Sequence, residues 1–185
     1  FDDSVKGVWH AGMILKDMLF KNMNKNYWDT VNDIKVKGLI NLDKCSRKYN
    51  LDAFVVFSSI ASFNGNIGQS NYCYANSACD NIILQRVKSN YIGTSIQLGA
   101  INNVGFVSNN LKANGMEDSM RNMNLSLQNI DVTLDSFNYL TKFSGVVTCF
   151  LKYNEKGKLD ESEFDLNIDI NKLKRKLCDI LGGNI

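Results

Sequence analysis

The 185-residue sequence contains no proline, where about 5% is usual. Asn, Lys and Ile are abundant, so the lack reads as compositional bias and not as a structural device. No run of about 18 apolar residues occurs, which excludes a transmembrane helix, and no secretory signal is present. Histidine occurs once, at His10, and the five cysteines at 45, 73, 79, 149 and 178 form no C-x-x-C pair. That excludes a recognisable zinc spacing and a disulfide framework. The odd count fits buried thiols in a reducing, cytoplasmic setting. Charge of one sign is also missing. The formal net charge is +2, so neither nucleic acid nor an anionic membrane is an indicated partner. The densest basic stretch, L-K-R-K-L at 173–177, reads as the wet face of a helix. The chain opens F-D-D-S, without Met, and is expected to be a piece of a longer polypeptide.

What is present suits one globular domain plus a tail. Hydrophobic residues make up 44% and charged residues 22%, ordinary values for a folded domain. V-K-G-V-W-H-A-G (5–12) reads as a buried strand. From Asn26 to about Tyr49, apolar residues recur at helical spacing. A-F-V-V-F-S-S (53–59) is the strongest strand signal, and its unbroken apolar run predicts burial on both faces, as in parallel sheets. I-A-S-F-N-G-N-I-G (60–68) reads as loop. Ser70 or Asn71 is placed to cap a helix running to about Ser89. A strand over 94–99 follows, then a polar loop from 102 to about 123, a helix over 134–140 and a last strand over 145–151. Strands alternating with helices predict an α/β fold with parallel strands. After Lys152 a charged linker (153–168) leads to an amphipathic helix (169–185) stopped by Gly182-Gly183.

One constellation carries chemistry. Tyr72 and Asn76 are four apart on the predicted helix and share a face. Tyr74 points elsewhere and reads as a packing residue. Ser59 closes a buried strand at its C-terminal edge, where doubly wound sheets bind ligands. A phenol with pKa near 10 is a poor acid at neutral pH unless a fixed cation lowers that value. Lys35, on the preceding helix, is placed to supply the charge. His10 reads as a strand-end histidine fixed by hydrogen bonds, ahead of a role near a cofactor.

The stretches G-V-W-H-A-G-M-I-L-K-D, K-V-K-G-L-I-N-L, F-V-V-F-S-S-I-A-S-F-N-G-N-I-G-Q-S-N-Y-C-Y-A-N and L-G-A-I-N-N-V-G together resemble the ketoreductase domain of type I polyketide synthases and animal-type fatty acid synthases. These belong to the short-chain dehydrogenase/reductase superfamily. The likeness covers residues 5–107 and extends more loosely to 152. Lys35 lies 24 residues before Ser59, Tyr72 lies 13 after it, and Asn76 lies four after Tyr72, as in that family. The resemblance implies that Tyr72 donates a proton to a ketone oxygen and that Ser59 hydrogen-bonds that oxygen. It implies that Lys35 lowers the phenol's pKa and, with Tyr72 and Asn76, helps hold the nicotinamide ribose of NADPH, or with Asn76 a proton-relay water. Two departures touch the substrate region. Leu15-Lys16-Asp17 replaces the Leu-Asp-Asp often associated with stereochemistry, and Leu98 replaces a Trp. Asp17 reads first as a helix-start aspartate, with loop positioning as its functional alternative.

The family's glycine-rich phosphate turn has no counterpart in these residues. The expected fold is therefore the second half of a Rossmann-like, doubly wound parallel sheet (1–152), with the linker and a helix that starts an acyl carrier domain or packs as a plain linker helix. The resemblance implies an acyl carrier partner whose phosphopantetheine arm brings the β-ketoacyl thioester. It also implies a partnering N-terminal half of the ketoreductase. No metal is called for. Two readings stay open: part of an NADPH-dependent reductase within a longer synthase, or an inactive remnant or structural half-domain. On either, the chain alone is expected to be inactive. Ser136, in L-D-S-F, imitates a carrier's phosphopantetheine serine, but a strand-like segment follows it, so it reads as an ordinary helix residue.

Overall fold

A-F-V-V-F-S-S lies inside a four-stranded parallel sheet, in a computed structural model that describes residues 5–101, 125–149 and 151–152. In chain order the elements are β1 (Gly7–His10), α1 (Lys25–Asn32), a π-helical turn (Asp33–Lys37), α2 (Gly38–Ser46), β2 (Ala53–Ser59), α3 (Ala61–Asn64), α4 (Ser70–Lys88), β3 (Thr94–Leu98), β4 (Leu125–Ser126), α5 (Ile130–Leu140), β5 (Gly145–Cys149) and β6 (Leu151–Lys152). The sheet runs β1-β2-β3-β5, with Gly7 opposite Ala53, Val55 opposite Thr94 and Thr94 opposite Gly145. The chain divides into two units, Phe1–Leu151 and Lys152–Ile185. All four sheet strands lie in the first. The loop expected at 102–123 and the helix expected at 169–185 fall outside the described residues.

Alternation along β2 places the layers. Phe54 and Val56 face one way and pack with Leu39 of α2, Leu51, and Cys79 and Ile83 of α4. Burying each of the larger side chains is worth about 1.5–3 kcal/mol over leaving it exposed. Phe57 faces the other way and meets Phe137 of α5 at 5.2 Å and Trp9 of β1 at 5.9 Å between ring centroids. Helices thus cover both faces of the parallel sheet, the α/β arrangement expected.

Several local expectations are corrected. β1 is not a buried strand. It is an edge of the sheet, only His10 is buried in it, and Trp9 is 48% exposed. Residues 60–68 are not all loop. The Ser59 hydroxyl accepts the Ala61 N–H at 3.2 Å, and a short helix, α3, follows with Ile60 as its N-cap. Neither Ser70 nor Asn71 is the cap of α4: Gln69 holds that place, and Asn71 satisfies the Tyr72 N–H from inside the first turn at 2.8 Å. Asp17 starts no helix; it lies in the irregular segment before the 3-10 turn Phe20–Asn22. Helix α5 begins at Ile130, where Asn129 caps the Asp131 N–H. Among the cysteines Cys79 is buried but Cys45 is exposed. Among the described residues, no helix is long and apolar enough to cross a membrane.

Candidate active site

The site forms where the C-terminal end of β2 meets the first turns of α4. The segment after β1 is stitched along the start of that helix. The Met18 N–H donates to the Gly68 carbonyl at 2.7 Å. Gln69 Nε2 donates to Asp17 Oδ2, and Asn71 Nδ2 to the Lys16 carbonyl, both at 2.9 Å. Gly68 has φ +78, a conformation that glycine adopts without strain, and so lets the loop turn into α4. Asp17 thus accepts a bond across this loop from the residue that caps α4. Nothing local marks Gln69's part, because its partner is 52 residues away.

Tyr72 lies on the first turn of α4, with its hydroxyl 3.9 Å from the Met13 sulfur. Burial raises its phenol above the ordinary value, while the Ser59 hydroxyl and the Asn76 amide pull it back. Asn76, one turn on, is fully buried. Its Nδ2 donates to the Tyr72 carbonyl at 2.8 Å, and its Oδ1 has no partner among the described residues. Lys35 sits in the π turn, 3% exposed. Its Nζ donates to the Phe57 carbonyl at 2.7 Å and lies 6.0 Å from the Tyr72 ring centroid. Desolvation lowers its pKa; the neighbouring Cys79 and Asp80 oppose that. The structure thus brings Lys35, Ser59, Tyr72 and Asn76 together at one sheet edge. Tyr74 points away, stacked against Trp28 at 5.0 Å and 52% exposed.

A family model described as "KR domain" matches residues 1–103. The chain belongs to the KR, or ketoreductase, domain family. A highly reducing polyketide synthase of Emericella nidulans, easB, is 40% identical over 118 residues, covering 60% of this chain and 5% of that protein. The chain therefore spans only a small part of such a relative. The first ketoreductase of the tylosin polyketide synthase superposes with a TM-score of 0.69 at 27% identity, covering 86% of this chain and 33% of that one. A 3-oxoacyl (acyl-carrier-protein) reductase from Agrobacterium tumefaciens C58, with NADP bound, shares the fold at a TM-score of 0.67 and 10% identity, over 78% of this chain and 62% of that one.

Within the ketoreductase sheet, Leu98 pairs with Ser59 on one side and Cys149 on the other. Its carbonyl accepts the Ile60 N–H at 3.0 Å, so it abuts the loop that leaves the site serine. Ser136 is half-buried within α5 and donates to the Thr133 carbonyl at 2.6 Å. His10 donates through Nε2 to the Lys35 carbonyl at 2.8 Å. Among the described residues, no group of three or more His, Cys, Asp or Glu side chains could hold a metal ion.

Proposed function

We propose that this ketoreductase domain reduces the β-keto group of an acyl thioester to the β-hydroxy form, as part of a polyketide or fatty acid synthase that presents the substrate on a carrier's phosphopantetheine arm. The observation that carries the reading is the convergence of a hydroxyl, a phenol, an amide and an ammonium group at the C-terminal edge of a parallel sheet. The buried polar groups fit the ribose end of a nicotinamide cofactor. Lys35 Nζ has three donors and one described acceptor, and Asn76 Oδ1 has no described donor. Both suit a partner rich in hydroxyls. Bound NADPH would supply the hydride to the keto carbon.

The residues of the chain handle the proton. Tyr72 gives its phenolic proton to the carbonyl oxygen as that oxygen gains charge, and Ser59 donates a hydrogen bond to the same oxygen. Burial keeps the phenol protonated, the state a donor requires. Lys35 is the cation beside the phenolate left behind.

The test is reduction of a β-ketoacyl thioester, or of trans-decalone, by the full-length protein with NADPH. Tyr72→Phe is expected to lower kcat by roughly 10²–10⁴-fold. Turnover that survives Tyr72→Phe sinks the mechanism. Absent turnover in the native protein favours an inactive structural half-domain.

A further inference from the structure

We propose that His10 is the positioning residue for Lys35: it locks the π turn that carries the lysine and so registers its ammonium group against the sheet. This rests on the ketoreductase reading for what Lys35 does, but not for how it is held.

Helical pairing widens between α1 and α2, where the Gly38 N–H reaches back five residues to the Asp33 carbonyl. Such turns are weak points of a helix and cluster at functional sites. Two side chains from two different elements converge on the Lys35 carbonyl inside this turn. His10 Nε2 from β1 lies 2.8 Å from it, and Cys79 Sγ from α4 lies 3.7 Å from it. The Gly38 N–H also reaches this carbonyl, so His10 makes its short side-chain bond and the Cys79 contact is the longer, weaker one. Because the partner is an acceptor, Nε2 must carry the proton. Burial lowers the His10 pKa, the hydrogen bond to the Lys35 carbonyl opposes that, and Lys35's charge adds to the lowering; with the net shift downward the ring acts as a neutral donor. The charged and titratable groups around Lys35 are His10 on β1 and Cys79, Asp80 and Tyr72 on α4.

The imidazole sits in a slot made by two glycines. A Cβ on Gly12 would stand 2.9 Å from His10 Cε1, and one on Gly38 would stand 3.2 Å from the same atom. Gly38 opens α2 with φ −56 and ψ −49, ordinary helical values where alanine would be preferred. Its lack of a side chain is explained by the ring. Lys35 is thus pinned at two ends by adjacent strands. His10, opposite Val56 in the ladder, holds its carbonyl, and Phe57, the next residue of β2, holds its ammonium. A ring that only filled space would need no polar contact with the residue whose side chain enters the site. His10 itself touches no reacting group, so it acts through Lys35.

The full-length protein is compared with His10→Leu, His10→Gln and Gly38→Ala, folding being checked by thermal melting. Two readouts are taken: hydrogen exchange of the amides over 33–39, and kcat, KM and the pH profile of thioester reduction. In His10→Leu, exchange over 33–39 should quicken, kcat should fall about tenfold with KM for the thioester near native, and the alkaline limb should move to higher pH. His10→Gln, which keeps an amide donor of similar reach, should restore both readouts in large part. Gly38→Ala, which pushes on the ring from the far side, should reproduce the leucine pattern. Native exchange in a folded His10→Leu overturns the proposal. So does faster exchange with native kcat and pH profile, or a glutamine variant as impaired as the leucine one. Should the native protein show no Tyr72-dependent turnover, the ketoreductase reading fails instead, and hydrogen exchange alone then judges the lock.

Discussion

Lys35 and Arg86 are both cations buried in the helical layer on one face of the sheet, 3% and 2% exposed. Their surroundings differ. Arg86, near the end of α4, pairs with Asp43, donates to the Ile92 carbonyl at 2.6 Å and reaches Ser46 Oγ. Its guanidinium also lies 3.9 Å from the Phe54 ring centroid and 5.3 Å from that of Tyr91. Lys35, packed against the start of the same helix, makes one described hydrogen bond, to Phe57, and faces one aromatic ring at 6.0 Å. A cation that serves the fold has its donors matched and its charge neutralised. A cation that serves a reaction keeps donors in hand. Desolvation lowers the Lys35 pKa, so the site holds its charge at some expense in stability.

That contrast can be broken by experiment. The largest expected effect is on Arg86. Arg86→Met leaves Asp43 with Arg47 alone, and Arg47 is largely solvent-exposed. Removing one partner of a buried pair costs about 3–5 kcal/mol, to be read from urea unfolding. kcat per folded molecule should stay native. A loss below about 1 kcal/mol would show that Arg86 is not a structural cation.

Lys35→Met should invert the pattern. Stability should stay within about 1 kcal/mol of native, because a hydrophobic chain replaces a desolvated charge, while kcat should fall by roughly 10²-fold or more. Equal losses in both measurements would erase the distinction between the two cations.

A smaller effect concerns pH. His10 has a folded-state pKa lowered by burial. Below the unfolded value near 6.5 the unfolded chain binds the proton more readily, so stability should decline as pH falls through that value. Asp43 adds a second acid-side loss. Burial pushes its carboxyl up, but Arg47 and Arg86 together hold it below the ordinary 3.8. That stability is present above pH 4 and is lost as pH falls further. Urea midpoints against pH should show both, and His10→Gln should flatten only the step near 6.5.

The smallest effect separates the two tyrosines. Tyr74→Ala, which removes the contact with Trp28, should lower stability by about 0.5–1.5 kcal/mol and leave reduction untouched, unlike any change at Tyr72.

The sheet strands and the site were legible because their signals are local or fixed in spacing. β2 is read from five apolar residues closed by two serines, and Tyr72 and Asn76 share a face by helix period alone. The π turn carries no mark: D-I-K-V-K has neither glycine nor proline, and the side chains that meet its Lys35 carbonyl, His10 and Cys79, are 25 and 44 residues away. Arg86 and Asp43 are 43 residues apart, so neither looks special in the chain. β1 reads as buried because apolar composition alone cannot tell an edge strand from a central one. In I-A-S-F-N-G the turn-forming Asn64 and Gly65 lie at the end of α3, and no side-chain cap marks its start at Ile60.

The parallel sheet has a further consequence, for the order in which the molecule comes into being. Its ladders join residues 39 to 51 positions apart: Gly7 to Ala53, Val55 to Thr94, Thr94 to Gly145. No strand can pair with its neighbour in a hairpin. Contacts of such long range slow folding, because chain closure precedes any gain from pairing. During synthesis at about 5–20 residues per second, β1 waits roughly 2–9 seconds for β2 to be made, and β3 waits about as long for β5. Each strand of such a sheet stays unpaired until its partner is made, an interval in which edge-to-edge association competes with folding.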